Sequence, residues 1–388
     1  MRICGIIAEY DPFHNGHAWH LNMAKSITGA DRVVCVISGC FTQRGMPALI
    51  HPIDRAEMAL HSGADLVLQL PYSFSVCTAD RFASGGVHIL NQAGASSLCF
   101  GAEPEGIPYI SEAAQYLEQP EEDYYFLLRR YLDDGLPFPK AQGMSLSACL
   151  HIPFHITELP NTILGISYVR ACLRLKADFS IFPVPRSGNY HNEVLSSASL
   201  PSAAAVRSAL YRHDWDSVRE AVPEYSYSLL RRLFEENDYH LPDALTGLLR
   251  WKLRCNDSPC HLPDLSEGLQ NRLHMADSFS QRDDIVKCIC SRRYSYARVS
   301  RLLSHVLTDA DSRYLDPLPS YAYLLGFRKD ASELVNAMHK NGFSVLAHIQ
   351  DNPPPYEQML DERADSLWAL GAGKPFGGLY RRKPYILE

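Results

Sequence analysis

The run ICGIIAEYDPFHNGHAWH, residues 3–20, passes from an apolar stretch straight into three histidines, His14, His17 and His20, with Gly16 among them. ICGIIA is short and apolar and is ended by Pro12, the pattern of a strand covered on both faces. Residues 16–29 then carry helical spacing, so the HNGH turn joins a strand to a helix. In a parallel sheet such a turn lies beyond the carboxyl end of a strand, where open α/β folds bind ligands. Three readings compete for the histidines: metal ligands, a phosphate cradle, or an ordinary polar turn. For a metal, HxxHxxH has no acidic ligand at helical spacing, and His14 falls in the turn rather than on the helix. The cradle suits the residues better. Gly16 admits close backbone approach, a helix start offers unpaired N–H groups and a positive dipole end, and His14 and His17 add donors for phosphate oxygens.

Outward from that turn, residues 32–37, 65–70, 97–100 and 179–184 are further short apolar runs. Helix-like stretches at 52–63, 78–92 and 162–175 separate them. The alternation predicts an α/β fold with a Rossmann-like, doubly wound parallel sheet and right-handed crossovers. A Tyr- and Leu-rich helical insertion at about 105–158 interrupts it. From residue 203 helical periodicity dominates and strand patterns disappear, which predicts a catalytic domain over 1–202 and a mainly α-helical C-terminal domain over 203–388. The Pro-rich DNPPPYEQ, 351–358, is the nearest thing to a linker.

Composition narrows the class. No apolar run approaches the roughly 20 residues that a membrane helix needs, and Glu9 interrupts the N-terminal apolar run too early for a signal peptide, so a cytoplasmic protein is expected. The net charge of −7 argues against indiscriminate polyanion binding but allows a local basic face. Most of the eleven cysteines sit in apolar runs and read as reduced core thiols. Cys255, Cys260, Cys288 and Cys290 have C-x4-C and C-x-C spacings that depart from structural zinc pairs, so no metal site is assigned.

HNGH after a first strand resembles the HxGH signature of the nucleotidyltransferase and class I aminoacyl-tRNA synthetase superfamily. Longer strings sharpen the likeness: EYDPFHNGH (9–17), ISGCFTQRGMPA (37–48), RAEMAL (55–60), CFGAE (99–103), PNTILGISYVRA (160–171), PRSGNYHN (185–192), RRYSYARVSRLLSHVL (292–307) and LLGFRKDASELV (324–335). In that order they resemble the tRNA(Met) cytidine acetate ligase family. The resemblance implies an enzyme that activates acetate with ATP as acetyl-adenylate and passes the acetyl group to N4 of the wobble cytidine, C34, in the anticodon arm of elongator tRNA(Met). It implies that His14 and His17 are catalytic, stabilising phosphate charge. ATP contacts are implied in the window 7–20, at Ile7, Ala8, Glu9, Tyr10, Phe13, His14, Gly16, His17 and His20, and beyond it at Gly101, Asn161 and Arg186. Arg207, in LPSAAAVRSAL (200–210), is a further phosphate clamp, although Ala204 and Ala205 stand where relatives carry hydroxyl residues. Mg2+ is the expected companion of the leaving pyrophosphate.

For the RNA partner, 286–304 carries Lys287, Arg292, Arg293, Arg298 and Arg301, no acid, and tyrosines between the arginines, a composition suited to an RNA phosphate track. The same pattern fits a solvated helix face paired with acids elsewhere. Gln43 and Arg44, in a loop after the second strand, are placed to meet the acceptor base or the triphosphate. Two other functions keep the same core: a small-molecule nucleotidyltransferase, and an ATP- or RNA-binding scaffold without catalysis.

Overall fold

The computed structural model describes residues 1–186, 201–255, 261–266, 268–273 and 279–388. Five parallel strands form the centre of one sheet: β1 (Ile3–Ala8), β2 (Arg32–Ser38), β3 (Leu66–Leu70), β4 (Ser97–Ala102) and β5 (Ser180–Pro185). Their spatial order is β5-β4-β1-β2-β3, so the winding reverses between β1 and β4. A crevice opens at such a reversal because the connections leave to opposite faces. β1 is almost wholly buried, as the unbroken apolar run requires, and it pairs with β2 in register from Ile3↔Arg32 to Ala8↔Ile37. Helix α1 (Asn15–Thr28) follows β1, and α2 (Pro52–His61) follows β2.

The two faces of the sheet carry separate apolar cores. One gathers Ile7, Val34, Leu68 and Phe100 against the helices Ala79–Gln92, Ile110–Glu118 and Pro160–Leu175. The other packs Ile6, Val33 and Cys35 against α1, α2 and the helices Ala203–Tyr211 and Glu224–Glu235. The 105–158 segment is helical.

The expectation that strands end before residue 203 is wrong. β6 (Tyr321–Arg328) adds antiparallel to β3, and the three-residue strands β7 (Ser344–Leu346) and β8 (Tyr385–Leu387) pair with β6. YAYLLGFR carries two Tyr and one Phe, which favour strands, but it contains no β-branched residue, includes Gly326 and stands among helical patterns. The strand exists because the outer edge of β3 is otherwise unpaired, a long-range need that no sequence window records. The C-terminal part therefore completes the sheet as well as building a helical body. That body has its own core, Leu249, Ile285, Leu302 and Leu360 among others, which takes in Phe41, Tyr72 and Val76 from the sheet side. DNPPPYEQ is a helix lead-in and not a linker: Pro355 caps Tyr356–Gly371, a helix that buries Leu360, Ala364 and Trp368.

Candidate active site

The HNGH turn sits at the carboxyl end of β1, beside the reversal point. His14 is the N-cap of α1 and is 1% exposed; its Nδ1 accepts the Gly16 N–H at 3.1 Å. His17, one turn into the helix, accepts the His14 N–H on its own Nδ1 at 3.3 Å. The two rings stack with centroids 3.7 Å apart and planes 18° from parallel. Because Nδ1 is the acceptor in both, the proton of each neutral ring resides on Nε2. Burial, reinforced by the Arg186 and Arg207 guanidiniums, lowers His14 to about 3. Burial and then His14 hold His17 well below the usual histidine range, and burial with Arg186 lowers His20 to about 4. At neutral pH the turn thus presents paired, uncharged Nε2–H donors. Gly16 is required here, since a Cβ would lie 2.9 Å from His14 Cε1.

Ile7, Tyr10 and Phe13 are buried and support the turn from below. Tyr10 meets the His17 ring edge-on at 4.9 Å, and Phe13 meets Tyr10 at the same distance. Their side chains belong to the core, which leaves the backbone of this stretch to face a ligand. Ala8 is half-buried at the end of β1, and His20 Nε2 lies 3.5 Å from Cys99 Sγ.

Across the reversal, β4 ends at Gly101 and Ala102, and the Arg186 N–H donates to Ala102 O at 2.9 Å. Gly101 makes room for the Arg186 stem: a Cβ would sit 2.8 Å from its Cγ and Cδ. Arg186 Nη1 donates to Asn161 Oδ1 at 3.1 Å, and Asn161 Nδ2 donates to Glu103 Oε1 at 2.8 Å. Asn161 is therefore a bridge and not a helix cap. Glu103 was not singled out from the sequence, yet its carboxylate accepts the N–H groups of Asn161 and Thr162 and both their side chains. Burial opposes its ionisation, but these hydrogen bonds outweigh it and hold the carboxyl below its ordinary range. The legible signal was an acid just past a strand, facing a helix start. Residues 187–192 of PRSGNYHN lie outside the described residues.

On the other side of the turn, Arg207 Nη1 donates to Asp11 O and approaches Asp11 Oδ2 at 3.3 Å, while Asp11 Oδ1 accepts from Leu49 N at 2.7 Å. Ser202 Oγ caps the helix bearing Arg207 by accepting from Ala205 N at 3.1 Å. Ala205 is 1% exposed, so a hydroxyl at that position would point into the core and not at a phosphate. Arg55 also escaped notice. It is fully buried, and its guanidinium donates to the carbonyls of Glu9, Ser38 and Gly39, tying the ends of β1 and β2 together.

The basic stretch divides. Arg301 is 8% exposed and holds Asp264 in a two-pronged ion pair at 2.6 and 3.1 Å. Arg298 donates to Asp264 O at 3.0 Å, and Lys287 pairs with Asp283. The acids come from outside the basic stretch, which is why the segment looked unpaired. Arg301 is thus removed from an RNA track by burial. Arg292 and Arg293 are exposed in the bend before the helix Tyr296–Thr308, and Arg44 is exposed in the loop after β2. That loop rests on the helical body: Gly45, at φ 80°, leaves only 2.7 Å between a would-be Cβ and Arg301 Cα. Cys255 is exposed and Cys288 and Cys290 are half-buried, while Cys260 lies outside the described residues.

A doubly wound sheet whose first turn carries stacked histidines at a helix N-terminus, flanked by arginines, defines the nucleotidyltransferase class, and a family model described as HIGH nucleotidyl transferase matches residues 1–375. A tRNA(Met) cytidine acetate ligase from Clostridium perfringens is 34% identical over 357 residues, 88% of each chain. One from Acetivibrio thermocellus is 36% identical over 363 residues, covering 88% of this chain and 86% of its own. The crystal structure of Thermotoga maritima TmcAL bound with alpha-thio ATP superposes with a TM-score of 0.87 at 27% identity, covering all of both chains. The chain belongs to the tRNA(Met) cytidine acetate ligase family.

Proposed function

We propose that the protein is an ATP-dependent acetate ligase that acetylates N4 of the wobble cytidine, C34, of elongator tRNA(Met). ATP lies over the HNGH turn with its phosphates on the N-terminus of α1. Acetate oxygen attacks the α-phosphorus, pyrophosphate departs, and the cytidine amine then displaces AMP from the mixed anhydride. The observation that carries this reading is the stacked His14–His17 pair, whose Nε2–H groups have no hydrogen-bond partner among the described residues. Uncharged donors fixed in advance stabilise charge that builds up on the phosphates without reorganising, and one such donor contributes about 2.7–4 kcal/mol. Arg186, positioned through Asn161 and Glu103, and Arg207, positioned by Asp11, supply positive charge from the two flanks. The first two N–H groups of the helix Ala203–Tyr211, those not taken by the Ser202 cap, add backbone donors that need no hydroxyl at 204 or 205.

Mg2+ is proposed as the companion of ATP. Among the described residues the nearby carboxylates of Asp11 and Glu103 are engaged by backbone N–H groups and Arg207 and form no cage, so the ion's ligands would be mainly phosphate oxygens and water. Arg44 and the Arg292–Arg293 bend are proposed to hold the anticodon arm, because all three are exposed and Gly45 packs the Arg44 loop against the helix that follows that bend. The C-terminal region 203–388 would then be the principal RNA-binding part. No helix among the described residues is long and apolar enough to cross a membrane, in keeping with a cytoplasmic tRNA-modifying enzyme.

The test is acetate-dependent exchange of labelled pyrophosphate into ATP, followed by acetyl transfer to tRNA(Met) with C34 present or replaced. Exchange without transfer to any RNA would favour a small-molecule nucleotidyltransferase, and ATP binding without exchange a scaffold.

A further inference from the structure

Aminolysis of an acetyl-adenylate by an exocyclic cytidine amine needs a proton acceptor. Conjugation with the ring makes N4 a weak nucleophile, and the adduct must lose a proton before it can lose AMP productively. His14 and His17 cannot serve, since each spends its basic lone pair on a backbone N–H. His20, lowered to about 4 by burial and Arg186, is a weak base.

Among the described residues, three carboxylates stand at the carboxyl edge of the sheet near the turn. Glu103 uses both oxygens on the start of the helix Pro160–Leu175. Asp11 uses Oδ1 on Leu49 N and Oδ2 on Arg207. Glu9 uses one only: Oε1 accepts the Gln43 N–H at 2.6 Å. Its Oε2 has no hydrogen-bond partner among the described residues. The residue is half-buried, and its carbonyl is gripped by Arg55, so the backbone beneath the carboxylate is fixed.

We infer that Glu9 is the general base of the acetyl-transfer step, its Oε2 taking the proton from the C34 N4 amine; this rests on the function proposed above. The nitrogen lone pair forms the N–C bond to the acetyl carbon, the proton passes to Oε2, and the C–O bond to the phosphate breaks. AMP leaves with that electron pair and needs no proton, because its phosphate is a stable anion. Glu9 then returns the proton to solvent. No oxidant, reductant or further reactant is involved.

The surroundings suit the role. Asp11 lies beside Glu9, Arg44 and Arg207 face it from the loop after β2 and from the helix Ala203–Tyr211, Arg55 lies below it on α2, and Tyr168 approaches from the helix Pro160–Leu175. Burial, with Asp11 assisting, raises the carboxyl against the opposing pull of the Gln43 N–H, Arg207 and Arg44. A raised carboxylate is the stronger base, and transfer should rise with pH as it ionises.

Glu9→Gln separates the base from the brace, because the amide oxygen still accepts the Gln43 N–H. Expected is single-turnover transfer to tRNA down by about 10²–10⁴-fold and without its acid limb, a fall at least about 10-fold larger than any fall in pyrophosphate exchange or hydroxylamine-trapped acetohydroxamate. Transfer within about 3-fold of wild type overturns the assignment, as does an equal fall in exchange and transfer, which would place Glu9 in ATP or Mg2+ binding. Should the Gln variant fail to fold, Glu9→Asp decides: the carboxylate is drawn back by one methylene, and transfer should fall about 10-fold or more beyond any fall in exchange, an equal fall or unchanged transfer counting against the role. If wild type shows no acetate-dependent exchange at all, the proposed function itself fails, and the role of Glu9 falls with it.

Discussion

Replacing His14 by Asn and, separately, by Ala distinguishes its two duties. As N-cap it accepts the Gly16 N–H at 3.1 Å, and removing a cap costs about 0.5–2 kcal/mol of stability. As an Nε2–H donor to developing phosphate charge it should contribute about 2.7–4 kcal/mol, or about 10²–10³-fold in rate. Asn keeps a capping oxygen but lacks a donor at the Nε2 position. His14→Asn should therefore melt within about 1 °C of wild type, given that 1 kcal/mol moves a large domain by about 2–4 °C, and still lose about 10²–10³-fold in pyrophosphate exchange. His14→Ala should lose as much rate and also melt a few degrees lower. Rings stacked 3.7 Å apart do not act independently, so the His14→Ala, His17→Ala double variant should lose less than the product of the single losses. Exchange retained within about 3-fold in His14→Asn would refute the assignment of the imidazole to the transition state.

Gly101→Ala would place a methyl 2.8 Å from the Arg186 stem; ATP binding measured by calorimetry should weaken by about 10- to 100-fold, the loss of one charge-assisted hydrogen bond, with tRNA binding unchanged. The histidines fix the sign of the acid response. With His14 at about 3 and His20 at about 4 against 6.5 unfolded, the unfolded chain binds more protons below 6.5, so stability is fully present above that pH and declines as pH falls toward 3. Denaturant midpoints at pH 7, 5 and 4 should fall in that order. Arg301→Ala should destabilise the fold by about 1–3 kcal/mol by leaving the half-buried Asp264 carboxylate without its two-pronged partner, read as a lowered denaturation midpoint. The Arg292→Ala, Arg293→Ala pair should leave stability intact, weaken tRNA binding and flatten its salt dependence by about two in log–log slope.

Much of this was legible in order along the chain. The five parallel strands, the crossover helices and the HNGH turn are local patterns: apolar runs of strand length, helical spacing, and Gly beside a helix start are each written within a dozen residues. The basic stretch at 286–304 leaves two readings open for the opposite reason. Its acids, Asp264 and Asp283, stand outside the window, and pairing by folding cannot be seen in the composition of one segment.

By itself the sequence determined the α/β class, the position of the ligand edge and the residue types that meet phosphate there, because these depend on short-range periodicity and side-chain chemistry. Only the tertiary structure decided that β6, β7 and β8 close the far edge of the sheet, that Glu103 and Asn161 aim Arg186, and that Arg55 and Asp11 fix the flanks of the turn. Each joins residues far apart in the chain, satisfying a sheet edge or a buried charge that exists only after folding. The same holds for Glu9, whose uncommitted oxygen is recognised by what Asp11 and Glu103 have already engaged.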